Sequence, residues 1–229
     1  MRYAVIPTRN RPTDLRECLD SLKDQVDHAI VVDNGSEPPL RGRDYKYEKM
    51  AVTIIRDSEQ PPNLSRLWNV GIKATQRIEG WDELGYSDPN VAETDNYYIA
   101  IVNDDTIVPP GWVDLVVGHM QARKASAGCT AHVAVDDLKA NRPRGAHDRL
   151  CGWAFILNGN DEIFANELLR WWYGDNDIDN KARSLGGTLF VPGPVPLNRY
   201  ANSTTTGILA EQAGKDRATF ELIWGPVPW

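Results

Sequence analysis

A chain of 229 residues, 41% hydrophobic and 25% charged, has the make-up of an ordinary globular protein, long enough for one large domain or two small ones. Its formal net charge of −7 excludes a non-specific polyanion binder, which presents a basic face, but not a nucleotide ligand whose phosphates are bridged by a metal. Cys18, Cys129 and Cys151 form no CxxC pair, and no charged leader or apolar run of ~20 residues is visible, so a cytoplasmic protein without a transmembrane segment is expected.

Tyr3-Ala4-Val5-Ile6 predicts a short buried strand, ended by Pro7 and the polar Thr8-Arg9-Asn10-Arg11. Pro12 suits the first turn of a helix, along which Leu15, Cys18, Leu19, Leu22 and Val26 recur at helical spacing. A second strand over 28–32 ends in Asp33-Asn34-Gly35-Ser36. This β-α-β opening places the 7–11 loop and Asp33 on one rim of a parallel sheet. Neither GxGxxG nor GxxxxGK[ST] occurs, so a nucleotide would be held by side chains and a metal rather than by a glycine-rich cradle. Residues 37–51 read as a polar loop, 52–55 as a third strand and Asn63 as the N-cap of a helix over 64–78. Leu64, Leu67, Trp68, Ile72 and Thr75 share one side of that helix, and Arg66 and Asn69 another.

Residues 79–95 read as an excursion before the stretch on which the chain is centred. There an apolar strand, Tyr97 to Val102, runs into Asn103-Asp104-Asp105 and stops at Pro109-Pro110-Gly111. A buried strand that releases two acids at its carboxyl end sets them in the crevice where open α/β sheets bind ligands. Adjacent carboxylates need a cation or a set of donors, and oxygen ligands suit Mg²⁺ or Mn²⁺. Asp is also common in plain solvated turns, so the pair alone does not decide.

Further on, 112–125 predicts a helix, 130–134 a strand, 136–150 a charged loop and 151–157 an apolar strand. Asp161 is expected to cap a helix running through Phe164, Leu168 and Leu169. Trp171-Trp172-Tyr173 then precede Asp175, Asp177 and Asp179, a pattern suited to a site because aromatic walls raise a carboxylate's basicity. The same acids would also favour a helix start. An extended segment over 189–196 and a last helix over 208–218 follow, and the Trp-rich tail (Trp224, Trp229) is expected to pack back on the domain or to serve a homodimer contact.

The order of these landmarks resembles glycosyltransferase family 2, the inverting, nucleotide-sugar-dependent enzymes of GT-A fold. The pieces that carry the resemblance are Val5 to Arg11, Ile30 to Ser36, Asn63 to Gly71, Tyr98 to Thr106, and Asp177-Ile178-Asp179 with Arg183. It implies a single α/β domain, GT-A-like, with a Rossmann-like, mostly parallel central sheet flanked by helices. About 1–105 would bind the donor, a nucleoside-diphosphate sugar with a UDP-sugar favoured, and about 106–229 the acceptor. Pro7, Thr8, Arg9 and Asp33 would surround the nucleobase and ribose, and Asn63, Arg66 and Asn69 would line the nucleotide or diphosphate side. Asn103-Asp104-Asp105 stands at the family's Asp-X-Asp motif, with Asp105 and Asn103 as ligands of Mn²⁺ or Mg²⁺ and Asp104 near the ribose. Asp177 matches the catalytic base, in one cleft with Asp105. Gly152, Trp153, Trp172, Asp175 and Asp179 fall on the acceptor side. The sequence departs from the pattern at Asn103 and Asn176, where acids are usual, and has no His over 190–206.

In this reading the ion stabilises the leaving diphosphate while the base takes the proton of an acceptor hydroxyl, on a glycan, lipid, protein or modified nucleic acid. The alternatives are a nucleotidyltransferase, for which the 8–11 loop lacks glycine, a retaining transferase on the same fold, and a sugar- or partner-binding module that has lost catalysis.

Overall fold

The computed structural model of the protein describes residues 1–80, 96–131, 149–150, 152–200 and 207–227. The expected excursion over 81–95, most of the predicted 130–134 strand and 136–150 loop, Cys151, residues 201–206 and Trp229 lie outside the described residues.

The opening is the expected β-α-β unit: β1 (Arg2–Thr8), α1 (Pro12–Leu22) and β2 (His28–Asp33). Then come β3 (Ala51–Arg56), α2 (Leu64–Ile78) and the central strand β4 (Tyr98–Val102). A two-residue β5 (Thr106–Ile107) precedes α3 (Trp112–Arg123), β6 (Ala127–Ala131), β7 (Ala154–Asn158), α4 (Gly174–Arg183) and β8 (Thr188–Pro192). The chain closes with β9 (Leu197–Asn198), which pairs with β5, and α5 (Ile208–Trp224).

Seven strands form one sheet in the order β3-β2-β1-β4-β7-β6-β8. The first four are parallel, β7 runs antiparallel to both of its neighbours, and β6 and β8 are parallel. Helices cover both faces. Along β1, Ala4 and Ile6 join a core with Leu15 and Leu19 of α1 and Trp112 and Val116 of α3. Tyr3 and Val5, one step out of phase, join a second core with Leu67, Trp68 and Ile72 of α2 and Ile178 of α4. A strand buried on both faces reads as a continuous apolar run, which is why β1, β2 and β4 show no alternation in sequence.

The chain moves outward from β1 through β2 to β3, and α2 then carries it back to the other side of β1. Strand order therefore reverses between β1 and β4, the switch point at which open α/β sheets bind ligands beyond their carboxyl ends. Alpha-2 lies so close to β1 that a Cβ on Gly71 would stand 2.2 Å from Val5 Cγ1.

The helix expected after Asp161 is not there. A short 3₁₀ turn, Gly159–Asp161, leads into irregular chain up to α4. Side chains from α2, α4 and α5 satisfy its backbone instead. Asn69 brackets Ala165 by accepting from its N–H and donating to its carbonyl, and Asn63 donates to the carbonyl of Glu167. Ser65 donates to the carbonyl of Leu169, and Asp177 accepts from the Asn166 amide. Asp216 of α5 accepts from three successive amides, those of Arg170, Trp171 and Trp172. With these groups paired outside the segment, an internal helix ladder has nothing to add.

The Gly71 contact yields a direct test. Gly71→Val should destabilise the fold by about 3 kcal/mol through overpacking against β1, read as a lower denaturation midpoint. Adding Val5→Ala should restore part of the loss, giving a non-additive double-mutant cycle.

Candidate active site

The site is assembled where β1, β2 and β4 end. Register pairs Thr8 with Asp33 across β1 and β2, and β4 releases Asn103, Asp104 and Asp105 beside them. Thr8 Oγ1 donates to Asp104 Oδ2 at 2.8 Å, tying the ends of β1 and β4 together across the switch point. Arg11, between β1 and α1, reaches both acids through a single nitrogen. Its Nη1 lies 3.3 Å from Asp104 Oδ1 and 3.1 Å from Asp105 Oδ2. Its guanidinium also stands 5.6 Å from the centre of the Tyr200 ring.

Asp104 and Asp105 are each 6% exposed. Desolvation pushes the Asp104 carboxyl up to about 6, against the lowering effect of the Thr8 hydrogen bond and the Arg11 charge. Burial raises that of Asp105 as well, with Arg11 opposing. Asp105 Oδ1 is buried and has no hydrogen-bond partner among the described residues. Asn103 contributes backbone: its N–H donates to Trp153 and its carbonyl accepts from Thr106 and from the Cys18 thiol. Among the described residues no group of three His, Cys, Asp or Glu converges as a metal cage. Two carboxylates with one free buried oxygen still suit a divalent ion whose remaining ligands are phosphates and water.

The rim at the ends of β1 and β2 is a built one. Asp33 is buried, accepts from the Ser36 amide and lies 3.5 Å from Arg56 Nη1. Arg9 donates to Gln60, and Pro7 lies buried at the end of β1. Arg66 is held among acids, 2.9 Å from Asp57 and 2.8 Å from Glu59. Asn63 and Asn69 are buried, and their amides hold the 165–167 backbone. The structure does not bring either to the acid pair.

Sequence expects Asp177 in one cleft with Asp105; the α4 carboxylate that lies beside the end of the β4–β7 ladder is that of Asp175. The β4–β7 ladder extends to Asn103 and Trp153, and Gly152 is the next residue along. A Cβ on Gly152 would stand 2.9 Å from Asp175 Oδ2, so this glycine leaves room for the carboxylate. Residues two apart on a helix point about 200° apart, so Asp177 faces the other way. It is 1% exposed and takes hydrogen bonds from the Asn166 amide, Lys181 Nζ and Trp224 Nε1. Asp179 is buried against Arg183 and Thr188. Asp175 keeps part of its surface open to solvent, and desolvation pushes its carboxyl up to about 6 against the pull of the Arg149 charge. Trp153 donates its indole N–H to Pro196, and Trp172 is exposed.

Sequence reasoning gave no role to Arg11 or Tyr200. Arg11 stood in the quoted Val5-to-Arg11 stretch, but nothing local says which way a loop arginine points. Arg199 and Tyr200 follow β9, and the Arg199 amide donates to the Asp105 carbonyl. The role of Asp216 was also missed, because an Asp between Lys215 and Arg217 reads as a solvated helix face.

The raised Asp175 carboxyl sets the sign of a pH effect. Its folded value of about 6 lies above the ordinary ~3.9, so the stability it confers is complete below about pH 4 and lost as pH rises through about 6. Asp175→Asn should therefore stabilise the protein at pH 7 by about 1 kcal/mol, roughly 2–4 °C in Tm, with the gap closing by pH 4 in calorimetry.

The glycosyl transferase family 2 model matches residues 3–77. No curated protein matches the chain. Among solved structures, S. aureus TarS 1-349 matches with a TM-score of 0.59 at 13% identity, covering 85% of this chain and 59% of that one. The same TarS fragment in complex with UDP-GlcNAc gives 0.58 at 13% identity over 96% of this chain and 66% of that one, and its complex with UDP gives 0.56. The described chain thus has the GT-A-like fold expected from its sequence, spans 59% of the length of TarS 1-349, and carries over residues 3–77 a glycosyl transferase family 2 region.

Proposed function

We propose that the protein is a glycosyltransferase that moves a sugar from a nucleoside-diphosphate donor to an acceptor hydroxyl with inversion. The observation that carries this reading is the buried acid pair at the β1/β4 switch point, with Asp175 of α4 set against Gly152 just beyond the Asn103–Trp153 pairing. The family match over residues 3–77 supports a donor half of about 1–105, with about 106–229 as the acceptor half. Neighbours in complex with UDP and UDP-GlcNAc favour a UDP-sugar.

In this mechanism Asp33 and the 7–9 segment receive the base and ribose, with Asp104 near the ribose. Arg11 lies beside the acids and offers its planar fork of donors to the leaving diphosphate. A divalent ion, when bound, would be held by Asp105 and Asp104 and would supply Lewis-acid neutralisation of that group. Asp175 takes the acceptor proton as the acceptor oxygen attacks the anomeric carbon and the bond to the diphosphate breaks. A carboxyl near 6 is matched to this role, since a general base works best close to the operating pH. Asp177 anchors the loop before α4 and does not take part in proton transfer.

Incubation with a panel of nucleotide sugars, UDP-GlcNAc included, should release nucleoside diphosphate, and the product anomer by NMR should be inverted. No release from any donor would favour the binding-module alternative. Asp175→Asn should lower transfer by about 10²–10⁴-fold with nucleotide affinity retained. Asp177→Asn should cost about 1–3 kcal/mol of stability and leave transfer within a few-fold. The opposite pattern would return the base to Asp177.

A further inference from the structure

We infer that Arg11 is a resident counter-ion of the Asp104–Asp105 pair and that a divalent cation binds there only in competition with it. The inference rests on reading this cleft as the donor site and concerns how the acids are neutralised before a donor arrives.

Two adjacent carboxylates, each 6% exposed, are unfavourable without positive charge nearby. Arg11 Nη1 supplies it from between them, at 3.3 and 3.1 Å. That is the position from which one cation touches both acids. A divalent ion bridging the same oxygens would meet the guanidinium at contact distance, so one excludes the other. Asp105 Oδ1 remains buried and unpartnered, a ligand position that the arginine does not fill. The acids thus keep a buried ligand oxygen while the arginine neutralises them.

Arg11 is held loosely enough to leave. Among the described residues its side-chain partner beyond the two acids is the Tyr200 ring, and its side chain is 32% exposed. Tyr200 in turn is fixed over the site. Beta-9 pairs with β5, the Arg199 amide donates to the Asp105 carbonyl, and the Arg199 side chain is ion-paired with Asp14 and Glu17 of α1. The ring offers the guanidinium a resting face beside the acids. Once displaced, the arginine carries a planar fork of donors suited to phosphate oxygens.

The test uses Mn²⁺ alone, with no nucleotide, and follows free Mn²⁺ by electron paramagnetic resonance. It can therefore fail while transfer stands, and transfer can fail while it stands. Arg11→Gln should bind one Mn²⁺ at least tenfold more tightly than wild type, and adding Asp105→Asn should abolish the gain. Arg11→Lys, which keeps the charge on a shorter and more flexible side chain, should fall between and serves if the glutamine variant does not fold. Equal or weaker binding by the Arg11 variants, or a gain that survives Asp105→Asn, overturns the inference.

Discussion

The placement of two carboxylates in a nearly dry crevice at the reversal of strand order constrains most of what surrounds them. Asp104 and Asp105 leave β4 with almost no contact with water, so every neighbouring element supplies something to hold them. Beta-1 supplies the Thr8 hydroxyl, the loop after it supplies Arg11, and the segment after β9 supplies the Arg199 amide and the Tyr200 ring. A site of this kind is costly to stability in its resting state. The raised Asp104 carboxyl is the physical trace of that cost.

The same economy of satisfied polar groups governs the far wall. The segment between β7 and α4 has no regular structure, yet its amides and carbonyls are taken up by Asn63, Ser65, Asn69, Asp177 and Asp216. Those partners come from three different helices. A loop held in this way is as fixed as a helix would be, and it delivers Asp175 to the cleft with Asp177 turned inward.

The parallel half of the sheet was legible in the sequence because strands buried on both faces appear as unbroken apolar runs ending in polar residues. Tyr3 to Ile6, His28 to Val32 and Tyr98 to Val102 are of this kind, and the acids after the last lie at the crevice as read. The 162–173 segment was misread for a matching reason. Phe164, Leu168 and Leu169 have helical spacing, but the hydrogen bonds that cancel the helix come from residues up to 104 positions away. Which of Asp175 and Asp177 lies against Gly152 was likewise out of reach, since it depends on how α4 is turned between Gly152 and Trp224. Arg11 carries the same lesson: a charged loop residue says nothing of its counter-ions until the fold brings them near.

The three-amide grip of Asp216 makes the last helix a structural member of the far wall rather than a trailing appendage. Alpha-5 touches that wall through Asp216 at residues 170–172, through the Phe220 ring against Tyr173 and through the Trp224 indole at Asp177. A shortened chain ending before residue 208 would keep its sheet and the Thr8–Asp104 tie yet lose the brace that sets the pitch of α4. Its defect would then be one of aim, felt at Asp175 and not at the acid pair.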